Sequence, residues 1–365
     1  MPTAPPPSPS TRSDTNRLFN FSEGSSGKSA RGNKVPVMVT GGAGYIGSHA
    51  VLALLDAGWE VIVLDDLSTG QRSAVPDDAH FHRGDVADQL LVERLVREHR
   101  IGAVLHFAGS VVVPDSVSDP LEYYRNNTAA TRTLLSACMA ADIRHFVFSS
   151  TAAVYGNAKR SPIGEDAPLE PINPYGRSKL MSEKMLDDVA HAHSMNYCAL
   201  RYFNVAGADP EGRAGQSTLG ATHLIKVAVE AALGKRDHVS IYGSDYDTAD
   251  GTGVRDYIHV SDLAAAHVLA LEKLIDEPRQ SLRLNCGYGK GTSVIEVLDA
   301  LDRLRGTRVN RKMQDRRPGD PDRLIADPSR LLRTLDWQPR FEAVETMIEH
   351  ALAWEARIDR RLQVA

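Results

Sequence analysis

A cluster of glycines between an apolar strand and an apolar helix constrains the fold of this chain more than any other feature. Gly41-Gly-Ala-Gly-Tyr-Ile-Gly47 fits both G-x-G-x-x-G and G-x-x-G-x-x-G, and it follows the apolar run at residues 35–40. A second apolar run, residues 60–65, ends at Asp65. Glycines at these positions let backbone N–H groups approach a pyrophosphate at a helix N-terminus, and the acid accepts a hydrogen bond from a ribose. The pattern therefore predicts dinucleotide binding.

The two carboxylates Asp65 and Asp66 bear on which dinucleotide is bound. Two negative charges at this position would repel the 2′-phosphate of NADP. Arg72 lies close in sequence and is the residue that would argue for NADP. On balance the sequence predicts NAD.

Strand and helix signals alternate through the first two hundred residues. Apolar runs typical of strands fall at residues 103–108, 145–150 and 197–203, and helical patterns fall at residues 90–99, 120–141 and 174–193. The strands are continuously apolar, which is typical of a parallel sheet covered by helices on both faces. The predicted fold class is α/β, a doubly wound parallel sheet of the Rossmann type.

The pattern changes at both ends of this region. Residues 1–34 are rich in Pro, Ser, Thr and Gly, have few large apolar side chains, and are predicted to be a disordered tail. We assign residues 35–203 to an NAD-binding domain. Residues 204–365 are predicted to form a smaller, substrate-binding C-terminal lobe, with a soft boundary and segments that interleave with the first domain. Such a lobe would cover the carboxyl ends of the strands, where ligands bind in doubly wound folds.

Composition excludes several other classes of protein. The net charge is −5 and no long basic run occurs, so nucleic acid is not expected as a partner. No apolar run approaches the ~20 residues of a membrane helix. Cys138, Cys198 and Cys286 lie far apart, which predicts buried thiols in a reducing compartment, the cytoplasm, and neither disulfides nor a metal site.

Two Tyr-x-x-x-Lys segments are candidates for acid–base chemistry. Tyr155 and Lys159 lie in a turn-rich stretch, whereas Tyr175 and Lys179 lie at the start of a predicted helix and share one face. An ammonium about 4–5 Å from the phenol is expected to lower its pKa by roughly two to three units, so that Tyr175 can accept a hydroxyl proton. The alternative interpretation is an ordinary pair on a helix surface.

Taken together, four motifs resemble the extended short-chain dehydrogenase/reductase family, and within it the UDP-hexose 4-epimerases. They are Gly41-Gly-Ala-Gly-Tyr-Ile-Gly-Ser-His49, Phe148-Ser-Ser-Thr-Ala-Ala-Val-Tyr-Gly156, Pro174-Tyr-Gly-Arg-Ser-Lys179 and Asp250-Gly-Thr-Gly-Val-Arg-Asp-Tyr-Ile-His-Val260. The resemblance extends over essentially the whole chain after residue 34. The similar sugar 4,6-dehydratases carry an Asp-Glu pair where this chain has Ala152-Ala153, so dehydration is disfavoured.

The resemblance implies three sets of site residues. The cofactor set is Gly41, Gly44, Tyr45, Ile46 and Gly47 at the pyrophosphate, Asp65, Asp66, Asp85 and Val86 at the adenosine, and Phe107, Ala108, Gly109, Asn126, Lys179 and Phe203 along the rest of NAD. The catalytic set is Tyr175 as acid/base, Lys179, and Thr151 in place of a serine. The substrate set is Thr151, Tyr175, Asn204, Arg255, Arg317, Asp320 and Leu324.

Three departures from the family pattern carry expectations of their own. Thr151 keeps the hydroxyl of the usual serine and adds a methyl group, so function with slightly altered packing is expected. Val111 stands where some relatives have a lysine that contacts the cofactor, so NAD is expected to bind less tightly. Leu324 is intermediate in size at a position that gates the pocket for N-acetylated sugars, so acceptance of UDP-GlcNAc stays open.

The implied activity is the interconversion of UDP-galactose and UDP-glucose by NAD-dependent oxidation at C4, rotation of the 4-keto sugar and return of the hydride. The alternatives are 4-epimerisation of UDP-GlcNAc, a UDP-pentose or a UDP-uronic acid, decarboxylation of UDP-glucuronate, and a non-catalytic NAD-binding protein. The family also implies a homodimer formed through the helices at residues 120–141 and 174–193.

Overall fold

The computed structural model describes residues 34–158, 160–218, 220–277, 279–317 and 320–364, with side chains described as far as residue 358. The predicted tail therefore lies outside the described residues, apart from Lys34, and so does Lys159 of the first Tyr-x-x-x-Lys segment.

The strands, in chain order, run as follows: β1 Val37–Thr40, β2 Val61–Asp65, β3 His80–Arg83, β4 Ala103–His106, β5 His145–Thr151, β6 Asn196–Tyr202, β7 Asn204–Ala206, β8 Val239–Tyr242, β9 Val254–His259, β10 Ser281–Cys286, β11 Gly291–Ser293, β12 Arg311–Gln314 and β13 Arg323–Leu324. The helices are α1 Tyr45–Asp56, α2 Gln89–His99, α3 Val113–Ser118, α4 Pro120–Tyr123, α5 Ala130–Ala140, α6 Pro174–Ala192, α7 Leu224–Ala232, α8 Val260–Asp276, α9 Val294–Arg305, α10 Ser329–Leu335 and α11 Val344–Val364.

Seven strands form the central sheet in the order β3-β2-β1-β4-β5-β6-β10. Every neighbouring pair is parallel. Five of these strands, β1, β2, β4, β5 and β6, are buried along nearly their whole length, as their continuous apolarity requires. The predicted α/β class and doubly wound parallel sheet are confirmed.

Separate apolar clusters cover the two faces of this sheet. On one face α1 and α8 pack through residues such as Val51, Leu54 and Leu271, and on the other α2 and α5 pack through residues such as Leu95 and Leu134. Because β10 and α8 come from beyond residue 203, the C-terminal part of the chain completes the central sheet and one of its helical layers.

The remaining strands form a smaller layer beside the carboxyl ends of the central sheet. β9 pairs with β11, β13 and β7, and β8 pairs with β12. A third apolar cluster, which includes Ile225, Leu298 and Ile348, joins α7, α9 and α11. This layer holds Asn204, Arg255 and Leu324 of the predicted substrate set.

The predicted helix at residues 120–141 is interrupted. A π-helical segment, Tyr124–Ala129, separates α4 from α5. Within it, Asn126 donates to the Ser110 hydroxyl at 2.9 Å and Asn127 accepts from the Ser110 N–H at 2.7 Å. The side chains of this segment thus reach the loop after β4, and π-helical turns often occur at functional sites.

Candidate active site

The glycine loop connects β1 to α1. Where Gly41 and Gly47 approach each other, the loop has no room for a side chain. A Cβ on Gly47 would lie 2.1 Å from the Gly41 carbonyl oxygen, and Gly41 itself has φ +71° and lies against the backbone of Ala108. At Gly44, which precedes α1, no side chain caps the helix. The first N–H groups of α1, those of Tyr45 and Ile46 among them, therefore belong to a helix N-terminus of the kind that binds phosphate groups.

Asp65 ends β2 beside this loop. Its carboxylate accepts from the N–H groups of Ala43 and Leu67, both at 2.9 Å. Burial raises the pKa of Asp65, and these two hydrogen bonds lower it in part. The adjacent Asp66 is exposed, and its carboxylate accepts from the N–H and the hydroxyl of Ser68.

Arg72, the residue that would have favoured NADP, has other partners. Its guanidinium donates to the Val75 carbonyl at 2.9 Å and lies 4.9 Å from the centre of the Phe81 ring. It also lies 3.9 Å from Asp77. These partners lie in the loop between β2 and β3 and in β3 itself. Another cation lies at the end of β2: Arg83, opposite Asp65 in register, donates to the Asp66 carbonyl at 3.4 Å.

The end of β4 carries three more of the predicted cofactor residues. The N–H groups of Phe107 and Ala108 both donate to the Thr40 carbonyl, at 2.9 and 3.1 Å, which holds this segment against the glycine loop. Gly109 follows with φ +150°, and a Cβ built on it would lie 3.7 Å from the Lys179 ammonium. Further along the same edge, Asp85 is exposed and Val86 is buried.

A segment of the C-terminal region crosses the glycine loop. We call residues 207–217 the strap. The buried Tyr45 hydroxyl donates to the Gly207 carbonyl at 2.7 Å. The Arg213 guanidinium donates to the Asp56 carboxylate at the end of α1, at 2.9 Å. Both ends of α1 are thus bonded to the strap.

Tyr175 lies in the first turn of α6, where Asn173 accepts from the Gly176 N–H at 2.8 Å and Pro174 occupies the first helical position. The side chain is 6% exposed. The hydroxyl of Thr151, at the end of β5, acts on the Tyr175 phenol as a hydrogen-bonding group that lowers its pKa. The structure thus brings the predicted acid/base and the predicted serine replacement into contact.

Lys179 lies one turn further along α6 and is 2% exposed. Its ammonium donates to the Ser149 carbonyl at 3.0 Å and lies 4.9 Å from the centre of the Phe148 ring. Burial lowers the pKa of Lys179 to about 8, although the negative charge of Glu183 raises it in part.

The prediction that Lys179 lowers the pKa of Tyr175 is wrong for the polypeptide itself. Burial has the largest effect and raises the pKa of Tyr175, and the hydrogen bond with Thr151 lowers it only in part. The reason is that the whole pair is buried: the ammonium lies against the β5 backbone, and the apolar surroundings disfavour the phenolate.

Three of the predicted substrate residues, Asn204, Arg255 and Leu324, lie on neighbouring strands. Asn204 begins β7, which pairs with β9, and Leu324 in β13 lies opposite Arg255 of β9 in register. Arg255 is partly buried and forms an ion pair with Asp320 at 3.9 Å. Leu324 also packs against an apolar cluster that contains Phe203 and Ala152, next to Thr151.

Arg317 is paired with an aromatic residue that the sequence analysis did not single out. Its guanidinium lies 3.7 Å from the centre of the exposed Tyr242 ring, and the hydrogen bond from Arg317 lowers the pKa of Tyr242. An exposed aromatic ring stacked on an arginine can also stack on a flat heterocycle. The signal available in the sequence was an aromatic residue at the end of a short strand, directly before Gly243.

Among the described residues, no group of three or more His, Cys, Asp and Glu side chains is arranged to hold a metal ion. Cys138, Cys198 and Cys286 are buried free thiols, as predicted. No helix in the described parts of the chain is both long and apolar enough to cross a membrane.

The fold and this site define a dinucleotide-binding protein of the short-chain dehydrogenase type. A profile of the NAD dependent epimerase/dehydratase family matches residues 37–287. The chain belongs to that family, and the family resemblance found in the sequence is confirmed.

Similar proteins agree with this assignment. The UDP-glucose 4-epimerase of Azospirillum brasilense is 55% identical over 324 residues, which cover 89% of this chain and 93% of that protein. A structure of UDP-glucose 4-epimerase from Brucella ovis in complex with NAD has 45% identity, covers 87% of this chain and 98% of its own, and superimposes with a TM-score of 0.85. A second similar structure, of UDP-glucose-4-epimerase from Stenotrophomonas maltophila with bound NAD and formylated UDP-arabinopyranose, has 39% identity and a TM-score of 0.87, and it covers 90% of this chain and 99% of its own.

Proposed function

We propose that this protein interconverts UDP-galactose and UDP-glucose by inverting the hydroxyl at C4 of the sugar, with NAD as its cofactor. The observation that carries the proposal is the buried Tyr175–Thr151 pair at the carboxyl end of β5. The names of the similar proteins support the choice of UDP-hexose as substrate and of NAD as cofactor.

The residues around the glycine loop fit NAD. The N-terminus of α1 offers N–H groups without a side-chain cap to a pyrophosphate, and Asp65 and Asp66 favour a ribose with free hydroxyls over a 2′-phosphate. Asp85, Val86, Phe107, Ala108, Gly109, Asn126, Lys179 and Phe203 complete the proposed cofactor site. When bound, NAD supplies reversible hydride transfer at the sugar C4 and, in its oxidised form, a positive charge.

Transfer of the 4-hydroxyl proton is the step that we assign to side chains of the protein. Tyr175 accepts it during oxidation and gives it back after the 4-keto sugar has presented its other face. The Thr151 hydroxyl is assigned the role of hydrogen-bonding to the Tyr175 phenol, since it lowers the pKa of Tyr175. Lys179 contributes positive charge next to this pair, and burial excludes water that would compete for the proton.

The UDP portion is assigned to the C-terminal residues. Arg255 and Arg317 suit a diphosphate because guanidinium groups match phosphate oxygens, and Asn204 and Asp320 offer hydrogen bonds to the nucleoside. Leu324 borders the space for the sugar. In this assignment residues 35–203 form the NAD-binding part and residues 204–365 the substrate-binding part, although β10 and α8 also build the central sheet.

Proton NMR of UDP-galactose incubated with the purified protein tests the proposed activity, first without and then with added NAD. We expect the anomeric signal of UDP-glucose to appear, in the first tube if the purified protein retains NAD. Folded protein that converts nothing in either tube would contradict the proposal, and the same assay with UDP-GlcNAc tests how restrictive Leu324 is.

A homodimer is part of the same proposal. A shallow groove between the π-helical segment and α6 is lined by Tyr124, Thr128, Ala129, Arg132, Met181 and Met185. Met181 is 45% exposed, and Leu121 nearby in sequence is 77% exposed. These helices are the pair through which members of this family are expected to dimerise. Sedimentation of the wild type and of Met181→Lys should show a dimer that the substitution weakens.

The cytoplasm is the expected compartment. The three cysteines are buried free thiols, which suits a reducing environment. The substrate class, nucleotide sugars, suits the same compartment. Fractionation of cells that produce the full chain tests this assignment.

A further inference from the structure

A buried carboxylate continues the catalytic face of α6. Tyr175, Lys179 and Glu183 follow one another at intervals of four residues and therefore lie on one face of the helix. Glu183 is 2% exposed, as buried as Lys179. The acid–base proposal above uses the first two residues of this row and leaves the third without a role.

Glu183 is bonded to both strands that run beneath the site. It accepts a short hydrogen bond from the Ser150 hydroxyl of β5, directly before Thr151. It also accepts from Arg201 of β6, whose Nε and Nη2 lie 3.0 and 2.6 Å from its two carboxylate oxygens. A buried ion pair of this kind is costly to form, so its presence calls for an explanation beyond stability.

Arg201 extends the contacts away from the helix. Its guanidinium donates to the Tyr155 hydroxyl at 2.9 Å, and Tyr155 donates to Asn285 of β10 at 2.7 Å. Arg201 is thus held by partners on its far side, which leaves the Glu183 carboxylate fixed between Arg201 and the catalytic strand.

The charged and titratable groups that face Lys179 come from two strands, β4 and β6, and from its own helix. His106 of β4 bonds to Thr40 and Thr131, and burial lowers its pKa to about 3, so it is neutral near pH 7. Tyr202 of β6 bonds to Ser149 and is uncharged. The remaining facing groups are Tyr175 and Glu183 on α6 and Arg201 on β6. Among these groups, Glu183 is the negative charge, and it acts in the direction that keeps Lys179 protonated.

We propose that Glu183 is a positioning residue for the reaction: its carboxylate keeps Lys179 as an ammonium and fixes α6 to the strand that carries Thr151. This inference rests on the proposed function for its meaning in catalysis. Its physical core, the dependence of the Lys179 charge on Glu183, holds independently of which substrate is turned over.

The test is a pH titration of Lys179 in the full-length, NAD-supplemented protein. Lysine labelled with ¹³C at Cε is followed by NMR, and the Lys179 signal is assigned by its loss in Lys179→Met. In Glu183→Gln we expect the midpoint to fall by about one pH unit or more, because an attractive charge is lost. Glu183→Asp keeps the charge and should move the midpoint by less than half as much. The alkaline limb of kcat for UDP-galactose should move in the same direction.

A matched control separates this role from stability. Glu355→Gln breaks another buried ion pair, with Lys226, on α11 and α7. It should lower stability and leave the Lys179 midpoint unchanged. If Glu183→Gln does not fold, Glu183→Asp carries the test, because its shorter carboxylate should still give the smaller fall in the Lys179 midpoint that the inference requires.

An unchanged Lys179 midpoint in the folded Glu183 variants would overturn the inference, whatever happens to turnover. A wild type that converts no UDP-galactose, but whose Lys179 midpoint falls in Glu183→Gln, would overturn the proposed function and leave the electrostatic role of Glu183 standing. The two failures are therefore distinguishable.

Discussion

The proton-transfer residues and the arginines of the C-terminal layer differ in how deeply they are buried and in how much solvent reaches their partners. Tyr175, Lys179 and Thr151 are 6, 2 and 7% exposed. Lys179 donates to the Ser149 carbonyl, and the Thr151 hydroxyl accepts from the Ala153 N–H. Arg255 lies at 3.9 Å from the half-exposed Asp320, and Arg317 is exposed and stacked on Tyr242. The first region is held in one arrangement by its neighbours, and in the second the positive charges have partners that solvent also reaches.

The difference matches two demands of the proposed reaction. Proton transfer needs a fixed hydroxyl in a water-excluded site. Binding a diphosphate needs cations that can exchange their partners at little cost, and exposed ion pairs contribute only about 0–1 kcal/mol. A protein that holds UDP through such arginines, and makes few contacts with the sugar, leaves the sugar free to turn. Variants in the two regions should therefore alter different kinetic constants.

Thr151→Val should have the largest effect among the variants that keep Tyr175. It removes the hydroxyl bonded to Tyr175 and retains the shape, so we expect kcat to fall about 100-fold, the size measured for loss of one aligned donor. Thr151→Ser is the control and should stay within a few-fold of the wild type. Equal losses in both variants would mean that packing of the methyl group, rather than the hydroxyl, matters.

Arg255→Ala should act mainly on KM. Loss of a charge-assisted hydrogen bond to a diphosphate costs about 1.5–3 kcal/mol, which corresponds to a rise of roughly 10- to 100-fold in KM for UDP-galactose. Initial rates as a function of substrate concentration measure this. A fall in kcat at unchanged KM would break the distinction between the two regions.

Arg213→Ala tests whether the strap retains the cofactor. The variant loses the bond to Asp56 at the end of α1, and we expect NAD to dissociate roughly ten-fold faster, since one charge-assisted hydrogen bond of about 1.5 kcal/mol is lost. Dilution followed by assay of the NAD that remains bound measures the rate. Arg236→Ala, which breaks an ion pair with Glu230 on α7, is the matched control and should release NAD at the wild-type rate.

Val111→Lys should have the smallest effect. Val111 is 50% exposed in the loop after β4, beside the proposed cofactor residue Gly109. A lysine there would gain at most about 1 kcal/mol from NAD phosphates at an exposed position, a few-fold in the Kd for NAD. Calorimetry with NAD measures the change, and Val111→Met is the neutral control. Weaker NAD binding in the lysine variant would contradict the interpretation of this position.

The central sheet and the glycine loop could be predicted from the sequence because their signals are local. Continuous apolar runs, a glycine cluster and a terminal acid at the right spacing need no knowledge of distant residues. The edge strand β3 was not predicted, since its sequence His80-Phe-His-Arg83 lacks an apolar run. Helix α11 was missed as well.

The sequence predicts which residues meet on α6, but it does not predict the direction in which the pKa of Tyr175 shifts. The spacing of Tyr175 and Lys179 predicts a shared helix face, and the structure has them so. That burial has the largest effect on the Tyr175 pKa depends on how β5, β6 and α6 pack around the pair, which spacing does not express. The Glu183–Arg201 pair joins residues eighteen positions apart on different elements, and Tyr242 meets Arg317 across the β8–β12 pairing. Such contacts follow from tertiary structure alone.

The most direct test of the account is the conversion of UDP-galactose by wild type and by Tyr175→Phe, followed by proton NMR with both proteins shown to be folded and loaded with NAD. The account predicts UDP-glucose from the wild type and a fall in kcat of about 10³-fold in the variant, the usual size of the contribution from a positioned acid/base. Turnover by Tyr175→Phe near that of the wild type would contradict the assignment of the proton step to Tyr175.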